Sequence, residues 1–212
     1  MHNITLHPIW LTVMPVYEHC NGVGTILFSS LAFYLMITKT PPKARPFTKY
    51  LMMLQASITL VDVNYGFLFC PVSLFPAPAG LCYGIICSWF GLSGHVGNTL
   101  MVFSVSLCGM CVLYCFHYKY VSIGQLVGGD SHRKRRHIVF RVALFVVYAV
   151  PSVIGVGRYD SIESGPSFVK TNYHSLYYLI ENPIYHAVAY DVTVSPSYGM
   201  LHASSVIFVR FA

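Results

Sequence analysis

Apolar residues in this chain gather into blocks about as long as a bilayer crossing, with Pro, Gly or charged residues between the blocks. A helix needs roughly 20 mostly apolar residues to cross the hydrocarbon layer. The first block spans residues 13–38, weak around Tyr17, Glu18 and His19 and strong from Thr25 to Ile37. It stops where Lys39, Pro41, Pro42, Lys43 and Arg45 follow, because prolines end a helix and lysines prefer water. The second covers residues 50–74 and carries one ionisable group, Asp62, near its middle.

The stretch from Phe75 to Phe116 runs for 42 residues without an Asp, Glu, Lys or Arg. Its first apolar run, Ala79 to Phe90, is too short to cross before Gly91 and Gly94 interrupt it. Residues 75–82 are therefore expected to form an outer turn, and residues 83–116 one long, tilted helix. A fourth span is expected over 139–156 and a partial fifth over 193–212, after a tyrosine-rich connection. The pattern predicts a single all-α, polytopic transmembrane helical bundle over residues 1–212.

Composition agrees with that reading. The chain is 55 % hydrophobic and 9 % charged, with a mean hydropathy of +0.59, whereas a soluble domain carries about 25 % charged residues to cover its surface. This composition argues against a soluble enzyme or nucleic-acid module. Of the 13 basic residues, ten lie in or beside two alternate connections, residues 39–49 and 117–138, the latter holding Lys119 and the run Arg133, Lys134, Arg135 and Arg136. The positive-inside rule puts both in the cytoplasm and leaves 1–12, 75–82 and 157–192 outside, with the N-terminus. Beside a membrane span, the basic run reads as topology and attraction to anionic headgroups rather than as a nucleic-acid site. Asn3 opens an Asn-Ile-Thr glycosylation sequon on the expected outer side. No basic segment and cleavage site precede the first span, which is expected to act as its own insertion signal.

Few residues carry chemistry. A carboxylate at mid-bilayer costs about 2.5–3.5 kcal/mol unless a partner or wet cavity holds it, so Asp62 should face the bundle interior. Thr59 and Gln55 lie one and two turns before it, on one polar stripe. A switch or ion-linked site and a purely structural polar group both fit this stripe. Ser93, His95 and Asn98 could hydrogen-bond a small ligand or a neighbouring helix. Cys108, Cys111 and Cys115 share a helix face, yet no His or acid at suitable spacing completes a metal set. No disulfide partner for Cys82 occurs in the outer connection 159–190, which leaves a bridge to Cys20 as the alternative to a free thiol. There is no G-x-S-x-G, H-E-x-x-H or Gly-rich phosphate loop, so neither an enzyme nor a cofactor is expected.

From Leu54 to Ile123 the sequence resembles the nematode serpentine chemoreceptors of class I, related to class H. The matching pieces are Leu54-Gln55 with Thr59-Leu60 and Asp62; Pro71, Leu74-Phe75-Pro76, Ala79-Gly80, Cys82 and Gly84; Phe90-Gly91, Ser93 and His95; and Cys115-Phe116, Lys119 and Ile123. Tyr120 stands where that pattern usually has histidine. The resemblance implies a seven-helix receptor that senses small external chemicals and couples to a heterotrimeric G protein, in the plasma or ciliary membrane of chemosensory neurons. On that reading Lys119 and Arg133–Arg136 would contact the cytoplasmic partner. The chain is expected to be the N-terminal part of such a receptor, a fragment or degenerate copy without helices six and seven. A small transporter or channel subunit using Asp62, and a non-signalling membrane assembly protein, are the alternatives.

Overall fold

Three long helices set the frame of the computed structural model, which describes residues 9–75, 77–126, 139–140, 142–143, 145–146 and 163–191. The helices are α1 (Ile9–Thr38), α2 (Arg45–Val63) and α4 (Gly94–Leu126). With a π-helical extension of α2, Asn64–Leu68, all three are long and apolar enough to cross a membrane. Arg45 and Pro46 open α2, where the fixed φ of proline suits the first turn and its missing N–H costs nothing.

α2 runs antiparallel to both of its neighbours. Toward α1, His19 Nδ1 lies 2.5 Å from the Gly66 carbonyl, while Ser29 meets Gln55 and Thr59. Toward α4, Asn64 meets Ser104, while Phe47 stacks on Tyr118 at 5.5 Å. The backbones of α1 and α2 approach closely at Gly22 and Gly66. A Cβ on Gly66 would stand 3.1 Å from the Gly22 Cα and 3.0 Å from the Glu18 carbonyl oxygen. Small residues serve this purpose in lipid, where apolar side chains gain nothing by leaving the solvent and close packing has to hold helices together.

One end of the bundle is capped. β1 (Pro71–Ser73) and β2 (Ala79–Cys82) form a hairpin in the register Pro71↔Cys82, Val72↔Leu81, Ser73↔Gly80. After the hairpin come a one-turn helix α3 (Ile85–Ser88) and a break at residues 89–93, where Gly91 takes φ +63°. Beyond α4, the chain returns to the cap as α5 (Gly165–Asn172), α6 (His174–Glu181), a 3-10 turn (Pro183–Tyr185) and β3 (Val188–Ala189). β3 pairs with β2 through Ala79↔Ala189 and Gly80↔Val188. Between these elements lies an apolar core of Val72, Leu74, Ala77, Ala79, Leu81, Val169, Leu176, Leu179 and Ala189.

These bounds differ from the expectations in three places. The third crossing helix begins at Gly94, not at residue 83, because the turn at Gly91 and the one-turn α3 belong to the cap. The turn at 75–82 is the tip and second strand of a hairpin, since Cys70, at φ 45°, reverses the chain just after α2. The tyrosine-rich connection folds into two helices and a strand, because its apolar residues bury against the hairpin rather than against lipid.

The cap also fixes the path of the chain. α4 ends about 48 Å from its start, at 1.5 Å per residue, yet β3 lies beside β2 at the starting end. Leu126 and β3 thus lie at opposite ends of the bundle. Phe140 stacks on His117 at 4.7 Å, toward the far end of α4, and the described residues from 139 to 146 are helical. The rest of the expected fourth span and all of the fifth lie outside the described residues.

Candidate functional site at the capped end of the bundle

His95 and Asn98 sit in the first turns of α4, immediately below the cap, and both reach one hydroxyl. Asn98 Nδ2 donates to Tyr190 Oη at 2.9 Å, and His95 Nδ1 lies 3.2 Å from the same oxygen. Tyr190 can donate its one proton to Nδ1 while accepting from Asn98, or accept from both, according to the imidazole tautomer. His95 and Tyr190 are buried, so each polar atom needs such a partner. Tyr190 is held in turn by its backbone N–H, which donates to the Pro78 carbonyl at 2.9 Å.

Beside this cluster is a cavity of about 180 Å³, lined by Ser93, His95, Tyr177, Ile180, Glu181 and Val188 among others. Ser93 and Glu181 are exposed at its rim, while His95 and Val188 are buried. Of the three residues expected to meet a ligand, Ser93 and His95 line the cavity and Asn98 stands behind it, orienting Tyr190. Sequence reasoning missed Tyr190, Tyr177 and Glu181. The tyrosine content of their segment was the only signal, and it could not say which ring turns inward.

The expected polar stripe of α2 faces α1. Gln55 Nε2 donates to Ser29 Oγ at 3.0 Å, and Thr59 Oγ1 lies 2.9 Å from the same atom. Asp62 faces Thr25, one turn from Ser29, and its charge acts on Glu18. Thus Glu18, Thr25 and Ser29 are the partners that the sequence left unnamed. Asn64, fully buried, donates from Nδ2 to Ser104 at 3.4 Å, and its side-chain Oδ1 has no hydrogen-bond partner among the described residues.

At the opposite end, Lys119 Nζ lies 4.2 Å above the Phe47 ring, and Tyr118 packs on Phe47 and Tyr50. The basic segment after α1 and the basic end of α4 thus share one end of the bundle, away from the cap. Arg133, Lys134, Arg135, Arg136 and Asn3 lie outside the described residues.

The cysteines resolve differently from the expectation. Cys82 is bonded to Cys87 on α3, not to Cys20, which is a free thiol on α1. The reason is local: the turn at Tyr83–Gly84 folds α3 back against the hairpin, and Gly84 is required there because a Cβ would strike the Leu68 carbonyl. Burial and the charge of Glu18 push the Cys70 thiol up to about 12. Burial, then Tyr185 and Cys70, push the Tyr83 hydroxyl up to about 12 as well. Among the described residues no three His, Cys, Asp or Glu side chains come together as a metal site.

No curated protein and no solved structure matches the chain. The family model for the serpentine type 7TM GPCR chemoreceptor Sri does match, over residues 5–209, nearly the full length. That match agrees with the three crossing helices and with a multi-pass membrane protein of the receptor class. The chain belongs to the serpentine type 7TM GPCR chemoreceptor Sri family.

Proposed function

We propose that this protein is a chemosensory receptor whose capped end faces outward and admits a small organic molecule to the cavity beside His95 and Tyr190. The observation that carries the proposal is a buried, hydrogen-bonding His95–Tyr190–Asn98 cluster beside a cavity, in a chain of a chemoreceptor family. Cavity size bounds the ligand: roughly 150 Å³ of apolar space holds a benzene molecule, so about 180 Å³ suits a compound of similar bulk. A mostly apolar wall from Ile180, Ala187 and Val188, with Ser93, Tyr177 and Glu181 at intervals, favours an apolar body with one hydrogen-bonding group.

With this orientation Asn3 is outside and open to glycosylation, and Lys119 with Arg133–Arg136 is inside, where a heterotrimeric G protein would dock. Tyr190 belongs to the segment that returns to the cap, so a ligand displacing its hydroxyl from Asn98 would act on α4 and on the cap together. That is a two-state element of the kind a receptor needs.

The test is a panel of volatile and water-soluble organic compounds of benzene-like size, applied to cells that carry the chain, a promiscuous G protein and a calcium reporter. The expected result is a response to one chemical class that Tyr190→Phe and His95→Ala abolish and lipid-facing Phe28→Ala retains. Silence towards the whole panel from surface-delivered protein, or a response that survives both substitutions, would reject the proposal.

A further inference from the structure

Trp10 and Trp89 are the only two tryptophans in the chain, and both stand at the capped end with their rings uncovered. Trp10 lies in the first turn of α1 and is 50 % exposed; its neighbour Leu11 packs against the cap core. Trp89 ends α3 and is 82 % exposed; Phe90 after it is 70 % exposed, and Leu92 is exposed too. A soluble loop does not present such a tip to water. Nor does this tip belong in the hydrocarbon core: the N–H groups of Trp89, Phe90 and Leu92 turn back to Ile85 and Ile86, but the carbonyls of the non-helical break at 89–92 have no helical partner and need water or headgroups.

We infer that the Trp89–Phe90–Leu92 tip is a lipid anchor, lying in the headgroup boundary of the outer leaflet at the same depth as Trp10 and seating the cap on the bilayer. Three observations carry this. Exposed apolar residues go on into α4 after the tip, where Leu100 and Phe103 are uncovered as well. The surrounding run from Phe75 to Phe116 holds no charged residue to keep it in water. The third is a length. From Gly94 to Lys119, the first charge on α4, the helix rises about 38 Å; from Trp10 to Lys39, α1 rises about 44 Å. The α1 distance falls within the 40–45 Å or so that separates the two polar faces of a bilayer, headgroups included, and the α4 distance exceeds the roughly 30 Å of its hydrocarbon core. α1 thus places tryptophan at one boundary and lysine at the other, and α4 carries Lys119 toward its far end with the Trp89 tip just before its start, the positions that amphipathic rings and snorkelling lysines prefer.

The inference rests on membrane crossing and not on any ligand, so it stands or falls separately from the chemosensory proposal. Its consequence for the cavity is positional: Ser93 on the rim follows Leu92 directly, which sets the mouth beside the lipid surface.

Having two tryptophans makes the test clean. The full chain carrying Trp10→Phe, with Trp89 as sole fluorophore, is placed in phosphatidylcholine vesicles brominated either near the headgroup end or near the tail end of the acyl chains. The expected result is stronger quenching by the shallow bromines than by the deep ones, with partial quenching by aqueous acrylamide. The complementary Trp89→Phe chain should report the same depth for Trp10. Quenching by acrylamide alone would mean a tip in water; stronger quenching by the deep bromines would mean a buried crossing segment; protection from both would mean a protein cover. Any of these three overturns the inference.

Discussion

The cap and the stems of this molecule obey different solvents. In the cap, Leu74, Leu81, Leu176 and Leu179 are almost completely buried, as in a water-soluble core. In the stems, Leu27, Phe28, Leu31 and Ile37 of α1 are exposed to what surrounds the bundle, and its buried residues are Pro15, Gly22 and Ser29. Water rewards burying apolar area in the first region, whereas lipid gives no such reward in the second. The stems are therefore held by close backbone approach and by polar pairs, and a mutation should be felt according to the region it falls in.

The largest effect is expected from a cavity in the cap. Leu176→Ala should cost the cap about 3 kcal/mol, read as roughly hundred-fold faster hydrogen exchange at amides of β1, β2 and α5. Phe28→Ala removes a larger side chain from the lipid-facing surface of α1 and should leave exchange unchanged. Equal losses from the two substitutions would erase the distinction between the regions.

Next comes the helix contact at Gly66. Gly66→Val should destabilise the α1–α2 pair by about 2 kcal/mol through overpacking, lowering the thermal midpoint of the detergent-solubilised chain. Gly24→Ala is the control, since its Cβ would meet nothing within 4 Å. A smaller loss, about 0.6 kcal/mol, is expected from Ser29→Ala, which removes the partner of both Gln55 and Thr59. A cost above about 3 kcal/mol would mean that the stripe is the main fastening of the stems.

The cap also has a pH window. With the folded Cys70 thiol held up to about 12, against 9.0 for a free thiol, its protonated form gives the folded cap stability that is complete below pH 9. That stability is lost as pH climbs through 12, because only the opened cap ionises in between. Alkylation of Cys70 at pH 8 should accordingly be slow in the native chain and accelerate in Leu176→Ala. Fast labelling in the native chain would place the thiol at the surface.

What could be read from the sequence follows the same division. Stems were legible because a crossing helix needs only length and apolarity, as in the blocks ending at Lys39 and beginning after Lys49. The resemblance from Leu54 to Ile123 named the family, which the match over residues 5–209 bears out. The cap was not legible. Its pairs, Ala79↔Ala189 and Tyr190 to Asn98, join residues about a hundred positions apart, and no local periodicity signals them. The interruption at Gly91 and Gly94 was visible, but one helix over 83–116 was expected to run through it, because α3 and α4 are both apolar and hydropathy carries no sign of the φ at Gly91. His95 and Ser93 stood out because they are polar residues in an apolar run; Tyr177 and Glu181, which line the same cavity, did not, because polar residues in a connection are ordinary.

The central claim is that the cap lies outside the cell and the lysine-bearing ends lie inside. The most direct measurement is labelling of single introduced cysteines by a membrane-impermeant maleimide on unbroken cells, against the labelling of the parent chain. Tyr178→Cys, on the exposed face of α6, should label at once, and Lys43→Cys should label only after the membrane is permeabilised. Labelling of Lys43→Cys on unbroken cells, with Tyr178→Cys protected, would contradict the account.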